Sequence, residues 1–153
     1  MNGRLNLHQL TEHFKLIDDT YNANVESIKA ATDLLASYPG RRVLILGDMG
    51  ELGAEARSYH QEVGEYAKER NIDDLLTLGV LSQNTSDAFN KGNSSQGLHF
   101  SERKNLITAL QKLLADEGQQ ISILVKGSRS AHMEKVVTDI INWQTSLLKE
   151  ESA

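Results

Sequence analysis

Residues 121–134 read ISILVKGSRSAHME: a strand-like run stops at a lysine and a glycine, and a helical pattern follows. In ISILV (121–125) apolar side chains fall on both faces, as expected of a central parallel strand covered by helices on either side. A second run of this kind is VLIL (43–46), and FKLI (14–17), LLTL (75–78) and LHF (98–100) are shorter relatives. Helical spacing fills the intervals. Ile28, Ala31, Leu35 and Tyr38 form one stripe from Val25 to Tyr38, which Pro39-Gly40 ends. Tyr59, Val63 and Tyr66 mark a helix from about Ala54 to Arg70, and a shorter one is expected from Leu81 to Phe89. Ser101 is placed to cap a helix carrying Leu106, Leu110 and Leu113. The last helix is expected from about Ala131 to Leu148, with Met133, Val136, Val137, Ile140 and Leu147 inward and the tail KEESA (149–153) fraying. RLNL (4–7) adds a short antiparallel strand that turns through TEH (11–13) into FKLI.

This alternation predicts one α/β domain over residues 1–153: a Rossmann-like, doubly wound, mostly parallel sheet of about six strands with helices on both faces. The 153 residues are 39% hydrophobic and 24% charged, proportions of a soluble globular chain rather than a disordered one. The formal net charge of -5, with basic residues scattered, disfavours nucleic acid as a partner. Cysteine is absent, which excludes disulfides and thiolate metal sites and fits a reducing compartment. No apolar stretch approaches the ~18 residues of a membrane span, and MNGRLNLHQL lacks the apolar core of a signal peptide. These features lead to an expectation of a cytoplasmic protein without membrane contact.

In such sheets ligands bind beyond the carboxyl ends of the strands. That rule singles out three loops: DDTYNAN (18–24), GDMGELG (47–53) and KGSRS (126–130). There is no G-x-x-x-x-G-K-[ST] and no G-x-G-x-x-G, so neither a triphosphate cradle nor a dinucleotide fingerprint is present. Asn24 is suited to cap the helix that begins at Val25, with Glu26 near its positive end. Asp18, Asp19, Tyr21 and Asn22 remain. Adjacent carboxylates repel unless a cation, a donor-rich ligand or solvent relieves them. One of them can accept two hydroxyl protons from a sugar diol, and the tyrosine ring can stack on a base. A solvated loop accounts for the same residues. Lys126, Ser128, Arg129 and Ser130 lead into a helix start and together suit a carboxylate or phosphate, or simply a capped helix with solvated bases. His60 lies near an inward stripe and is expected to be packed, and no histidines share metal-ligand spacing.

DDTYNAN before a helix, LGDMGELG (46–53) after a strand and VKGSRSAHME (125–134) near the end, in that order, resemble the C-terminal domain of the Mur ligases. The likeness runs from about Gly3 to Trp143 and is to the branch that adds D-alanyl-D-alanine. It implies the third of three domains, without the UDP-binding and central ATPase domains that precede it in the family. It implies an ATP- and Mg2+-dependent ligase of cytoplasmic peptidoglycan synthesis, with Mg2+ and most of the ATP held by the central domain. The tripeptide of UDP-N-acetylmuramoyl-tripeptide is activated as an acyl phosphate, and D-Ala-D-Ala attacks it. Carried onto this chain, the resemblance places Asp19, Tyr21, Asn22 and Asn24 at the nucleotide. It places Lys126, Ser128 and Arg129 at the incoming dipeptide, with Asp48 and Glu51 on the same side, and no catalytic residue in this domain alone. Valine stands at 25 where the family often has proline, which removes preorganisation of the first helical turn but no functional group. A stand-alone flavodoxin- or receiver-like module is the alternative, with Asp18, Asp19 and Asp48 clustered around a metal and Lys126 nearby.

Overall fold

The computed structural model describes residues 5–115 and 118–152. Its strands are β1 (Asn6–Gln9), β2 (Phe14–Asp19), β3 (Arg41–Gly47), β4 (Asp74–Leu78), β5 (Gly97–Phe100) and β6 (Ile121–Lys126). They form one sheet in the order β1-β2-β6-β3-β4-β5. Only the β1–β2 pair is antiparallel, with Leu7 opposite Ile17. The other pairs are parallel. The expected N-terminal strand is therefore present; Arg4, at the start of RLNL, lies outside the described residues.

The helices are α1 (Val25–Ala36), α2 (Ala56–Glu69), α3 (Gln83–Asn90), α4 (Arg103–Leu113) and α5 (Glu134–Ser152). Alternation along the central strands divides the interior into two cores. On one face Val43, Ile45, Ile121, Ile123 and Val125 meet Leu106 and Leu110 of α4 and Val136 and Ile140 of α5. On the other, Leu44, Leu46 and Leu124 meet Ile28 and Leu35 of α1, Val63 of α2 and Phe89 of α3. Three helices thus cover one face and two the other. β6 returns to the middle of the sheet between β2 and β3, and all six of its residues are buried.

Several local expectations are corrected. The buried stripe of α2 is His60, Val63, Gly64 and Ala67, one position round from Tyr59, which is 37% exposed. Tyr66 turns its hydroxyl to the surface and donates to Asp33 at 2.7 Å. Ser101 does not cap α4; Glu102 occupies the cap position, without a side-chain cap bond. α5 starts at Glu134 rather than Ala131, because His132 adopts a left-handed conformation (φ 53°) that no α-helix continues through. The tail does not fray after Leu148 but stays helical to Ser152, while Ala153 lies outside the described residues. Leu147, expected inward, is 38% exposed.

Gly64 brings α2 against α3 so closely that an added Cβ would strike the Thr85 carbonyl oxygen. Gly64→Ala gains about 1 kcal/mol of helix propensity. Overpacking against a backbone atom costs about 1–3 kcal/mol and outweighs it. The variant is expected to melt below the wild type in thermal unfolding followed by circular dichroism; an unchanged or higher midpoint would show that the seam yields.

Candidate functional site

Parallel pairing sets the carboxyl ends of β2, β3 and β6 side by side, because Lys126 is in register with both Asp19 and Leu46. The loops that follow these strands meet at one edge. Lys126 is 4% exposed, and its Nζ donates to Asp19 Oδ2 at 3.0 Å across 107 residues of chain. The Arg129 guanidinium lies over the Tyr21 ring, 4.9 Å from its centroid, a cation–π arrangement. The Ser128 amide donates to the Asp48 carbonyl at 3.1 Å, and its hydroxyl meets that of Ser130 at 3.0 Å. A Cβ on Gly50 would stand 3.6 Å from that of Ser128.

Each acidic side chain has its own partner. Asp18 Oδ1 accepts from the Thr20 amide and hydroxyl at 3.1 and 2.6 Å, closing a local turn. Asp19 Oδ1, by contrast, has no protein partner among the described residues. Asp48 accepts from three successive amides, those of Val80 and Leu81 at 3.0 and 3.1 Å and of Ser82 at 2.8 Å. Burial alone would raise its carboxyl, but these amides outweigh that and hold it below the ordinary carboxylate value. Gly79 (φ 136°) permits this grip, since a Cβ there would run into the Asp48 carboxylate. The three carboxylates therefore do not gather as a receiver would need. Among the described residues no group of three or more His, Cys, Asp or Glu is placed to hold a metal.

Asn24 caps α1: its side chain accepts from the Ser27 amide at 2.8 Å, and its own amide donates to Ser27 Oγ at 3.0 Å. Asn22 Oδ1 accepts from the Ala23 amide at 2.8 Å. Glu51 is exposed in a left-handed conformation (φ 54°). His60 is buried as expected and also bonded: its Nε2 accepts from the Met49 amide at 3.0 Å, which leaves Nδ1 to donate to the Ala56 carbonyl at 2.7 Å. The turn Gly79–Ser82 was not among the expected loops. Its only signal was its position at the carboxyl end of LLTL.

The Mur ligase, glutamate ligase domain family matches residues 3–129. The chain belongs to this family. Within it, the Mur ligase domain is 52% identical over 135 residues to the UDP-N-acetylmuramoyl-tripeptide–D-alanyl-D-alanine ligase of Escherichia coli, a match covering 88% of this chain and 28% of that one. A crystal structure of MurF from Acinetobacter baumannii superposes with a TM-score of 0.81 at 31% identity, over 93% of this chain and 30% of that one. A Thermotoga maritima MurF ligase in complex with ADP shares the fold (TM-score 0.78, 21% identity, over 95% of this chain and 32% of that one). The chain thus spans under a third of the length of these relatives. Its mostly parallel six-stranded sheet is the architecture expected from the Mur ligase resemblance. No helix among the described residues is long and apolar enough to cross a membrane.

Two measurements follow from the loop contacts. Asp48→Asn replaces acceptors with an amide that must turn N–H groups toward N–H donors, at a cost of about 1–3 kcal/mol at pH 7. A carboxyl held below its ordinary value contributes stability that is whole above about pH 4 and is lost as pH falls through the folded value. The gap between wild type and Asp48→Asn in urea unfolding should therefore narrow from pH 7 to pH 3; a constant gap would contradict the assignment. Lys126→Met leaves Asp19 part-buried and unpaired, at a cost of about 2–4 kcal/mol. Adding Asp19→Asn should return part of that loss, and strict additivity in the double-mutant cycle would mean the two side chains are uncoupled.

Proposed function

We propose that this domain completes the active site of an ATP-dependent amide ligase that adds D-alanyl-D-alanine to UDP-N-acetylmuramoyl-tripeptide in cytoplasmic peptidoglycan synthesis. Residues 1–153 act as its C-terminal domain and work only beside a UDP-binding and a central ATPase domain. The observation that carries this reading is the convergence of the 18–24, 47–53 and 126–130 loops on one edge, where Asp19 bonds Lys126 and Arg129 covers Tyr21. The likeness to the E. coli ligase supplies the reaction class.

In that reaction the tripeptide carboxylate takes the γ-phosphoryl group of ATP, releasing ADP. The dipeptide amine then attacks the acyl carbon, expels phosphate and forms the amide. This chain contributes binding and orientation. Asp19 keeps Oδ1 for a ribose hydroxyl while Lys126 fixes Oδ2. Tyr21, 37% exposed, offers ring surface beside the nucleotide, and Asn22 and Asn24 shape the turn below it. Ser128 and Glu51 stand on the dipeptide side, whereas Arg129, expected there, lies over Tyr21. Lys126 acts on that side through Asp19, and Asp48 through the turn it holds. Phosphate and Mg2+ are left to the central domain, since the carboxylates here are committed to amides, a hydroxyl and a lysine. Closure of this domain onto the central one completes the site.

Asp19→Asn retains an oxygen for Lys126 and removes the charge. In the longer chain carrying this domain it should raise KM for ATP at least about tenfold when assayed well below the variant's unfolding temperature, which falls because Lys126 loses its counter-charge. The isolated domain should release no ADP with either substrate. Wild-type ATP kinetics in the variant would take Asp19 out of the nucleotide site.

A further inference from the structure

We propose that Arg103 holds the carboxylate of the incoming dipeptide in a second, shallow cleft beyond β4 and β5, an assignment that rests on the ligase reading above. The cations expected to meet that carboxylate are committed elsewhere. Lys126 is buried on Asp19, and Arg129 lies on Tyr21. Next to them is a cleft of about 350 Å3 whose walls include Asp48, Leu78, Val80, Arg103, Ser130 and Ala131. It lies where ligands meet open α/β sheets, outside the carboxyl ends of the strands. Its size is at the lower end for small-molecule sites (~300–1,000 Å3), which suits a short peptide better than a nucleotide.

Arg103 is poised to bind. Its Nε donates to Asp139 Oδ2 at 2.8 Å, which orients the guanidinium plane. Among the described residues its two terminal nitrogens have no protein acceptor, so the outer edge of the fork is left for a planar, two-oxygen anion. Asp48 lines the same cleft and is held ionised by the Val80, Leu81 and Ser82 amides. Three amides anchor that carboxylate, with the Ser82 hydroxyl beside it, so it stands at the cleft wall as a fixed negative charge for an ammonium. Leu78, Val80 and Ala131 supply apolar wall. One fixed cation, one fixed anion and small apolar walls match a zwitterion with methyl side chains.

The test uses the longer chain that carries this domain, with ADP release as the assay. The acceptors are D-Ala-D-Ala and its C-terminal carboxamide, which keeps the shape and removes the negative charge. Arg103→Met should raise KM for the dipeptide about 10–100-fold, leave KM for ATP unchanged and erase the wild-type preference for carboxylate over carboxamide. Arg103→Lys should recover part of the preference, as a charge without the fork. Lys104→Met, which removes a charge on the same turn outside the cleft, should change neither. A wild-type dipeptide KM or a retained carboxylate preference in Arg103→Met overturns the assignment. So does a rise in KM for ATP instead, which would give the guanidinium to phosphate. Should the wild type release no ADP in response to the dipeptide, the ligase reading itself falls, before any variant is made.

Discussion

A strand paired on both edges and buried on both faces has no freedom to slip, and β6 is such a strand here. A shift of one residue would turn Ile121, Ile123 and Val125 from the α4–α5 core into the α1–α3 core and tear two ladders at once. With its register fixed, Lys126 must emerge beside Asp19, and Ser128 beside the carbonyl of Asp48. The candidate site inherits its geometry from that alignment. Its residues are far apart in the chain but consecutive along one rim, because parallel strands end where their neighbours end.

Within the rim, Asp48 is the hub. Its main-chain carbonyl receives the β6 loop, its side chain gathers the β4 turn, and the next amide, Met49, is taken by His60 from α2. Three elements are thus referred to two residues. The surrounding amides hold the Asp48 carboxyl below its ordinary value. A second tether holds the same turn from the other side: the His99 ring bonds the Gly79 carbonyl at 2.9 Å through Nε2 and Thr77 Oγ1 at 2.8 Å through Nδ1.

Strand order of importance, fold class and the convergence of loops were legible because runs such as ISILV and VLIL have no other stable setting than a covered parallel sheet. Side-chain commitments were not. Nothing near GDMGELG announces that Asp48 will be claimed by amides more than 30 residues later. The same blindness affects Lys126, whose partner is 107 residues upstream, and led to its reading as a cation open to ligand. The face of α2 was misplaced for a related reason. A tyrosine scores as apolar, yet Tyr59 is 37% exposed and Tyr66 carries its hydroxyl to Asp33, while the small Gly64 and Ala67 take the inward positions. Asn24 was readable as a cap because capping is local, decided within three residues.

The three loops are joined to one another by the protein's own groups, which bears on how binding energy is used. A rim whose segments already restrain one another does not lose chain entropy when substrate arrives, so contacts made there translate more fully into affinity and orientation. The same bracing means that the rim cannot reshape itself piecemeal. Any displacement of the rim must carry the sheet and its edge together, as a stiff plate.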